Sequence, residues 1–218
     1  MSGSLFRSSI RLVLAVAALW LCSGFSTALT AVSHKALMNE SFQQFDQNLD
    51  TGWRVLQLQR DYLGAANAVL EYLSVHSDTL AAWQKDSLAF HLGHVYAMAN
   101  QRQEAIIWLR KSMADHSMGN TAYVEAYMAF LTNDKPALLA VRHTIATTHP
   151  GPWRAQDLRE VDVMVTYFGE PFEAAWGALN CHNSAAESTT AAWIAYCGAI
   201  DAKYRKLFLQ HGIKLRSE

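Results

Sequence analysis

The sequence is poor in charge, cysteine and proline, and each shortage excludes something. Only 17% of the 218 residues are charged and the net charge is −1. With no basic stripe, the chain lacks the electrostatic footprint of a nucleic-acid binder. There are three cysteines and no C-x-x-C pair, so no dithiol redox motif is present. The four prolines fall at Pro136, Pro150, Pro152 and Pro171, and none interrupts a long helical pattern. Alternating strand patterns of useful length are missing. So are G-x-S-x-G, H-E-x-x-H and a phosphate-binding glycine loop, which leaves the common nucleophile, zinc and phosphoryl-transfer signatures without a representative. What the chain does have is apolar substance. Hydrophobic residues make up 51% of it, with seven tryptophans and eight tyrosines, enough for one sizeable packed core.

The first 28 residues have the pattern of a secretory signal peptide. Arg7 and Arg11 make a basic start, Leu12 to Leu21 is an apolar run, and Ser26-Thr27-Ala28 offers small residues for cleavage. The run is shorter than the roughly 20 residues of a membrane span, so no span is expected after cleavage; the alternative is an uncleaved anchor. Cys22 follows the bulky Trp20-Leu21, which argues against lipid attachment. Cleavage after Ala28 removes two arginines and no acids, leaving a net charge of −3. It also leaves Cys181 and Cys197, an even pair that an oxidising compartment would bridge. The expected location is therefore periplasmic or extracellular. Residues 29–39 read as a lead-in and 40–218 as one helical domain.

Helical periodicity dominates that domain. Glu40 to Gln59 reads as a helix in two parts, broken at Asp50-Thr51-Gly52. Asp61 to Leu73 is its partner, with Ala65, Ala68, Val69 and Tyr72 inward. Ser77-Asp78 is placed to cap a long helix from about Leu80 to Ala99. Leu88, Leu92, Val95, Tyr96 and Ala99 recur there at steps of three and four, the spacing of one helix face. Gly93 inside that helix implies a close neighbour. Asn100 suits a left-handed helix end, and Glu104 to Lys111 runs back as the second arm of a hairpin. Thr121 to Leu131 is apolar nearly all round and so buried on several sides. Pro136 starts the next helix, and His149-Pro150-Gly151-Pro152 makes a corner. Ala155 to Phe168 carries Leu158, Val161, Val165 and Phe168 on one face, and a short helix starts at Pro171. After a polar loop, Thr190 to Gln210 is the last helix, with Lys203, Arg205 and Lys206 on its outer side.

The central hairpin resembles the tetratricopeptide repeat, whose pattern is W-x2-L-G-x2-Y, then A-x3-F, then P. Leu92, Gly93, Tyr96 and Ala105 match; Ala89 stands for the tryptophan, Leu109 for the second aromatic and Ser117 for the proline. Turn-and-small-residue segments around Ala65, Ala137 and Ala174 look like degenerate sister units, and the resemblance covers roughly residues 40 to 180. It implies an all-α stack of antiparallel helix hairpins with a C-terminal capping helix. It also implies a concave groove, lined by the first helix of each pair, that holds a peptide or another protein. Carried onto this chain, the groove residues are Arg54, Gln57, Phe90, His94, Ala126, Phe130, Arg159 and Val163.

Other candidate chemistry is thin. His91 and His94 have a permissible metal-ligand spacing but no third ligand at a matching offset, so no metal or other cofactor is expected. Asp157, Glu160 and Asp162 alternate with apolar residues as a solvated helix face would. His143 and His149 flank the proline corner as solvated loop histidines. The tryptophans read mostly as core, with Trp153 beside Pro152 as the exposed one. The expected function is an exported scaffold or adaptor without catalytic activity. Two alternatives stand beside it: an all-α envelope enzyme, which would need a polar pocket with paired carboxylates, and a structural subunit whose groove is filled by its own tail from Leu207 onward.

Overall fold

A computed structural model describes residues 34–114, 121–148, 154–182 and 190–215. The signal-like segment 1–28, Ser117, His149 and the proline corner with Trp153 lie outside the described residues. The rest is all-helical, with no strand among the described residues. Among the described residues ten α-helices follow one another: α1 (His34–Met38), α2 (Arg54–Leu58), α3 (Tyr62–Val75), α4 (Ala82–Met98), α5 (Arg102–Ser112), α6 (Thr121–Leu131), α7 (Lys135–Thr148), α8 (Arg154–Thr166), α9 (Phe172–Gly177) and α10 (Ala191–Gln210). Two wider π-helical turns, Gln43–Gln47 and Ala178–His182, precede α2 and follow α9. No described helix is long and apolar enough to cross a membrane.

Helices pack as neighbours in sequence: α2 with α3, α4 with α5, α6 with α7, and α8 with α9. One recurring turn explains the pairing. Arg60, Asn100 and Asn133 close α2, α4 and α6 at φ of 61°, 60° and 56°, and Gly169 follows α8 at 91°. Asparagine and glycine tolerate that left-handed conformation best. In the first three turns the next residue's amide bonds back five positions: Asp61 to Leu56, Gln101 to Tyr96 and Asp134 to Ala129. This is the helix-ending arrangement that satisfies the last carbonyls and reverses the chain. Asp61 and Asp134 then cap the following helices through Gly64 and Ala137 amides at 2.9 and 3.0 Å.

Five residues after each left-handed position stands a fully buried side chain: Ala65, Ala105, Leu138 and Ala174. The third is Leu138 and not Ala137, so the sequence reading was one position out of register there. The turns are spaced by 40, 33 and 36 residues. In the central hairpin a Cβ on Gly93 would stand 2.7 Å from Leu109 Cγ and 3.1 Å from the Ala105 carbonyl oxygen. Gly93 therefore lets α4 and α5 cross closely, as its place inside a helix implies.

Some expected details shift. The long helix starts at Ala82 rather than near Leu80, and Gln84 accepts from the Ala81 amide at 2.8 Å, so Ser77-Asp78 is not its cap. The lead-in contains α1, which packs on α3. Trp83 is half exposed, with Phe42 edge-on at 5.2 Å, rather than core. Lys203 on α10 is exposed, as expected, and its ammonium group also reaches Glu173.

The last pair curls back onto the first. Helix α10 touches α9 and α2. Glu173 on α9, 3% exposed, gathers Arg60, Tyr62, Lys203 and Tyr204. Cys181 and Cys197 form a disulfide that fastens the second π-turn to α10. With its ends joined in this way, the inner face becomes a cavity.

Candidate functional site

The cavity measures about 340 Å³. The first helix of every pair contributes to it: Arg54 and Gln57 from α2, Phe90, His91 and His94 from α4, Tyr123 and Tyr127 from α6, and Gln156, Asp157 and Glu160 from α8. Trp53 precedes α2 on the same wall, and exposed Leu49 stands at the rim. Trp176, Asn180 and Trp193, from α9, the π-turn and α10, close the far side.

Of the eight groove residues expected from sequence, Arg54, Gln57, Phe90 and His94 line this cavity. Ala126 and Phe130 do not; they are in the hydrophobic core, because α6 turns Tyr123 and Tyr127 inward instead. Arg159 is exposed, and Val163 packs against the core edge. The inward face of α8 is Asp157, Glu160, Val161 and Met164. Asp157 and Glu160 are 8% and 9% exposed, so the reading of these acids as a solvated face is corrected. Asp162, on the outside, fits that reading and pairs with Arg142. The reason is one of register: α8 presents a polar stripe to a cavity, whereas apolar periodicity placed an apolar one there.

One end of the cavity is built around a buried carboxylate that the sequence reading did not single out. Asp46 is fully buried and accepts from His91 Nδ1 at 2.7 Å, Ser87 Oγ at 2.8 Å, Gln47 Nε2 at 2.6 Å and Trp53 Nε1 at 3.1 Å. Burial alone raises its pKa. The His91 and Arg54 charges, with the hydrogen bonds from His91 and Ser87, outweigh that and bring it down to about 2. Asp46 thus orients the His91 ring, whose Nε2 lies 3.4 Å from Arg54 Nη2. His94, 3% exposed, is held well below the usual histidine range by burial first and then by His91 and Arg54. It is a neutral ring at neutral pH, with Trp176 edge-on at 4.3 Å between centroids.

The opposite end is acidic. Tyr123 donates to Glu160 Oε2, Gln156 donates to Oε1 at 3.2 Å, and Tyr127 joins the chain through Tyr123 at 2.8 Å. Burial raises the Glu160 pKa; the two hydrogen bonds oppose this without cancelling it, and neighbouring Asp157 adds to it. Between the ends stand aromatic faces: Phe90 with Tyr127 at 5.4 Å, Tyr123 with Tyr127 at 5.0 Å, and Trp176 and Trp193 on the closing wall. The indole N–H groups of both tryptophans are buried without an acceptor among the described residues. No cluster of three metal-ligating side chains occurs among the described residues.

The cavity has the composition common to ligand pockets: mostly aromatic walls with a few convergent polar groups of unlike character at two ends. Comparison with family models, curated proteins and solved structures returns no match.

Proposed function

We propose that the chain is an exported recognition module of the tetratricopeptide kind, whose inner face grips one protruding group of a partner protein or peptide. The observation that supports it is the convergence of the first helices of four successive hairpins on one cavity. That is the face such repeats use, as the hairpin motif around Gly93 and Ala105 implies. The proposal differs from an open groove for an extended peptide, because α10 and its disulfide close the far side. A cavity shut on that side and open at the Leu49 rim selects a single inserted residue or chain end. Export is supported by the basic-then-apolar start of the chain and by the Cys181–Cys197 bridge.

The test is photo-crosslinking from the rim. A benzoylphenylalanine at exposed Leu49 should capture one discrete partner in the exporting cell, and the same probe at Ile107, exposed on α5, should not. Filling the cavity by Asn180→Trp should abolish capture from Leu49. Capture that survives the filled cavity in a folded protein would refute the reading.

A second reading, an enzyme, is favoured by one observation: Asp157 and Glu160 are neighbouring carboxylates at the acidic end of the cavity, and burial raises the Glu160 pKa, the direction a general acid needs. Its mark would be turnover of a substrate that Glu160→Gln abolishes while binding persists.

A further inference from the structure

The chain treats its buried carboxylates unequally. Asp46 meets His91 and Arg54, Glu173 meets Arg60 and Lys203, and Asp201 meets His182 at 2.7 Å. Glu160 is also buried, at 9% exposure, yet the hydrogen bonds it receives come from Tyr123 and Gln156, which are neutral donors, and the Arg159 charge on the outer side of α8 acts on it only as the weakest influence. Glu160 lines the cavity with Asp157 beside it. Aromatic side chains line the same cavity: Tyr123 and Tyr127 on α6, with Trp176 and Trp193 on the closing wall. A buried anionic carboxyl calls for a cation, and aromatic faces attract one through their quadrupoles. At the other end, Arg54 donates to the Asp46 carbonyl oxygen at 2.6 Å, and the buried Asp46 carboxylate offsets its charge, which lessens its repulsion of a positive guest.

We propose that the cavity is a site for an organic ammonium group, seated against the Tyr123, Tyr127, Trp176 and Trp193 rings with Glu160 as its counter-ion. This deepens the recognition reading and rests on it: the guest becomes a lysine side chain or amino terminus of the partner. A free amine has the same chemistry, and the experiment separates the two sources. Charge, aromatic enclosure and cavity size act together. A neutral chain of equal length fills the space but leaves the carboxyl unpaired, and a carboxylate guest adds a second negative charge beside Asp157 and Glu160.

The experiment uses the full chain and reads tryptophan fluorescence, since Trp53, Trp176 and Trp193 all border the cavity. Four probes are titrated: n-butylammonium, n-butanol, and two blocked glycine pentapeptides carrying lysine or norleucine at the centre. The ammonium probes should bind at least about tenfold more tightly than their neutral isosteres, the size of effect that desolvated cation–π and ion-pair contacts give. Glu160→Gln should erase that preference, whereas Arg110→Gln, exposed on α5 and outside the cavity lining, should keep it. A lysine peptide that binds better than butylammonium identifies a polypeptide guest; equal binding identifies a free amine and removes support from the partner-protein reading alone. Equal binding of charged and neutral probes overturns the ammonium site and leaves the recognition reading standing. No binding by any of the four overturns the ammonium site, and the rim crosslink then decides the recognition reading separately. If Glu160→Gln does not fold, the charged-against-neutral comparison on the unaltered protein decides, with Trp176→Leu expected to weaken the ammonium probes by about fivefold or more.

Discussion

Two glutamates show how the same side chain serves opposite ends in one fold. Burial raises the Glu173 pKa, but hydrogen bonds from Lys203, Tyr204 and Tyr62 and the Arg60 charge more than reverse it, so the net direction is down. A carboxyl whose pKa is lowered by folding stabilises the fold above its unfolded value, and that contribution is lost as pH falls through the folded one. Glu173→Gln should therefore cost about 2–4 kcal/mol at pH 7, since it leaves two cations and two tyrosine hydroxyls short of a partner. Urea unfolding at pH 7 and at pH 3 checks this, with the deficit shrinking at the lower pH. Glu160 runs the other way. Its raised pKa means that its contribution is full below the unfolded value and is lost as pH rises through the folded one. Glu160→Gln should raise the melting temperature at pH 7 and leave it nearly unchanged at pH 4. Such a gain would mean that the native carboxyl is kept at a cost to stability, as binding groups often are.

At the scale of helices, the turn is the repeating unit and the close crossing is its consequence. Gly93→Ala should destabilise by about 1–3 kcal/mol, because the new methyl group meets Leu109 inside a packed crossing and α4 and α5 must part to admit it. Thermal unfolding measures this, and no loss would mean that Leu109 can rotate away. These features were the most legible in the sequence. Asn100 followed by a polar corner, Gly93 at a helix interior and Ala105 opposite are local signals, and local signals survive without an alignment. Register was harder. The third hairpin was set on Ala137 where Leu138 occupies the buried position, since a small residue and a leucine can each fill it when the facing helix differs. Arg60 gave no sign of a left-handed turn, because arginine rarely adopts one; here its guanidinium bonds Glu173 at 2.9–3.0 Å. That contact is 113 residues away and invisible to any local pattern.

At the scale of the whole molecule, the site was half legible. Arg54, Gln57, Phe90 and His94 follow from knowing which helix of each pair faces inward. Asp46, Tyr123 and Glu160 do not, because partners that hold them lie 37 to 45 residues away in sequence, and the closing tryptophans do not, because they depend on the chain curling until α10 meets α2. A pattern of inward apolar residues also misplaces any helix that turns acids toward a cavity, which is why the α8 acids read as surface in the sequence. The curl is therefore the feature on which the site depends, and the disulfide is the place to test it. Cys181–Cys197 closes a 16-residue separation between the second π-turn and α10, and the chain-entropy account of such a loop gives about 3 kcal/mol. For a domain of this size that corresponds to a fall in melting temperature of roughly 6–12 °C in the double Cys→Ser variant. The loss should be concentrated. Hydrogen exchange should quicken in α10 and around Trp193 while the α4–α5 crossing stays protected, since the hairpins carry their own contacts. Exchange that quickened evenly through α4 and α5 would mean that the hairpins have no stability of their own and that closure holds the entire stack together.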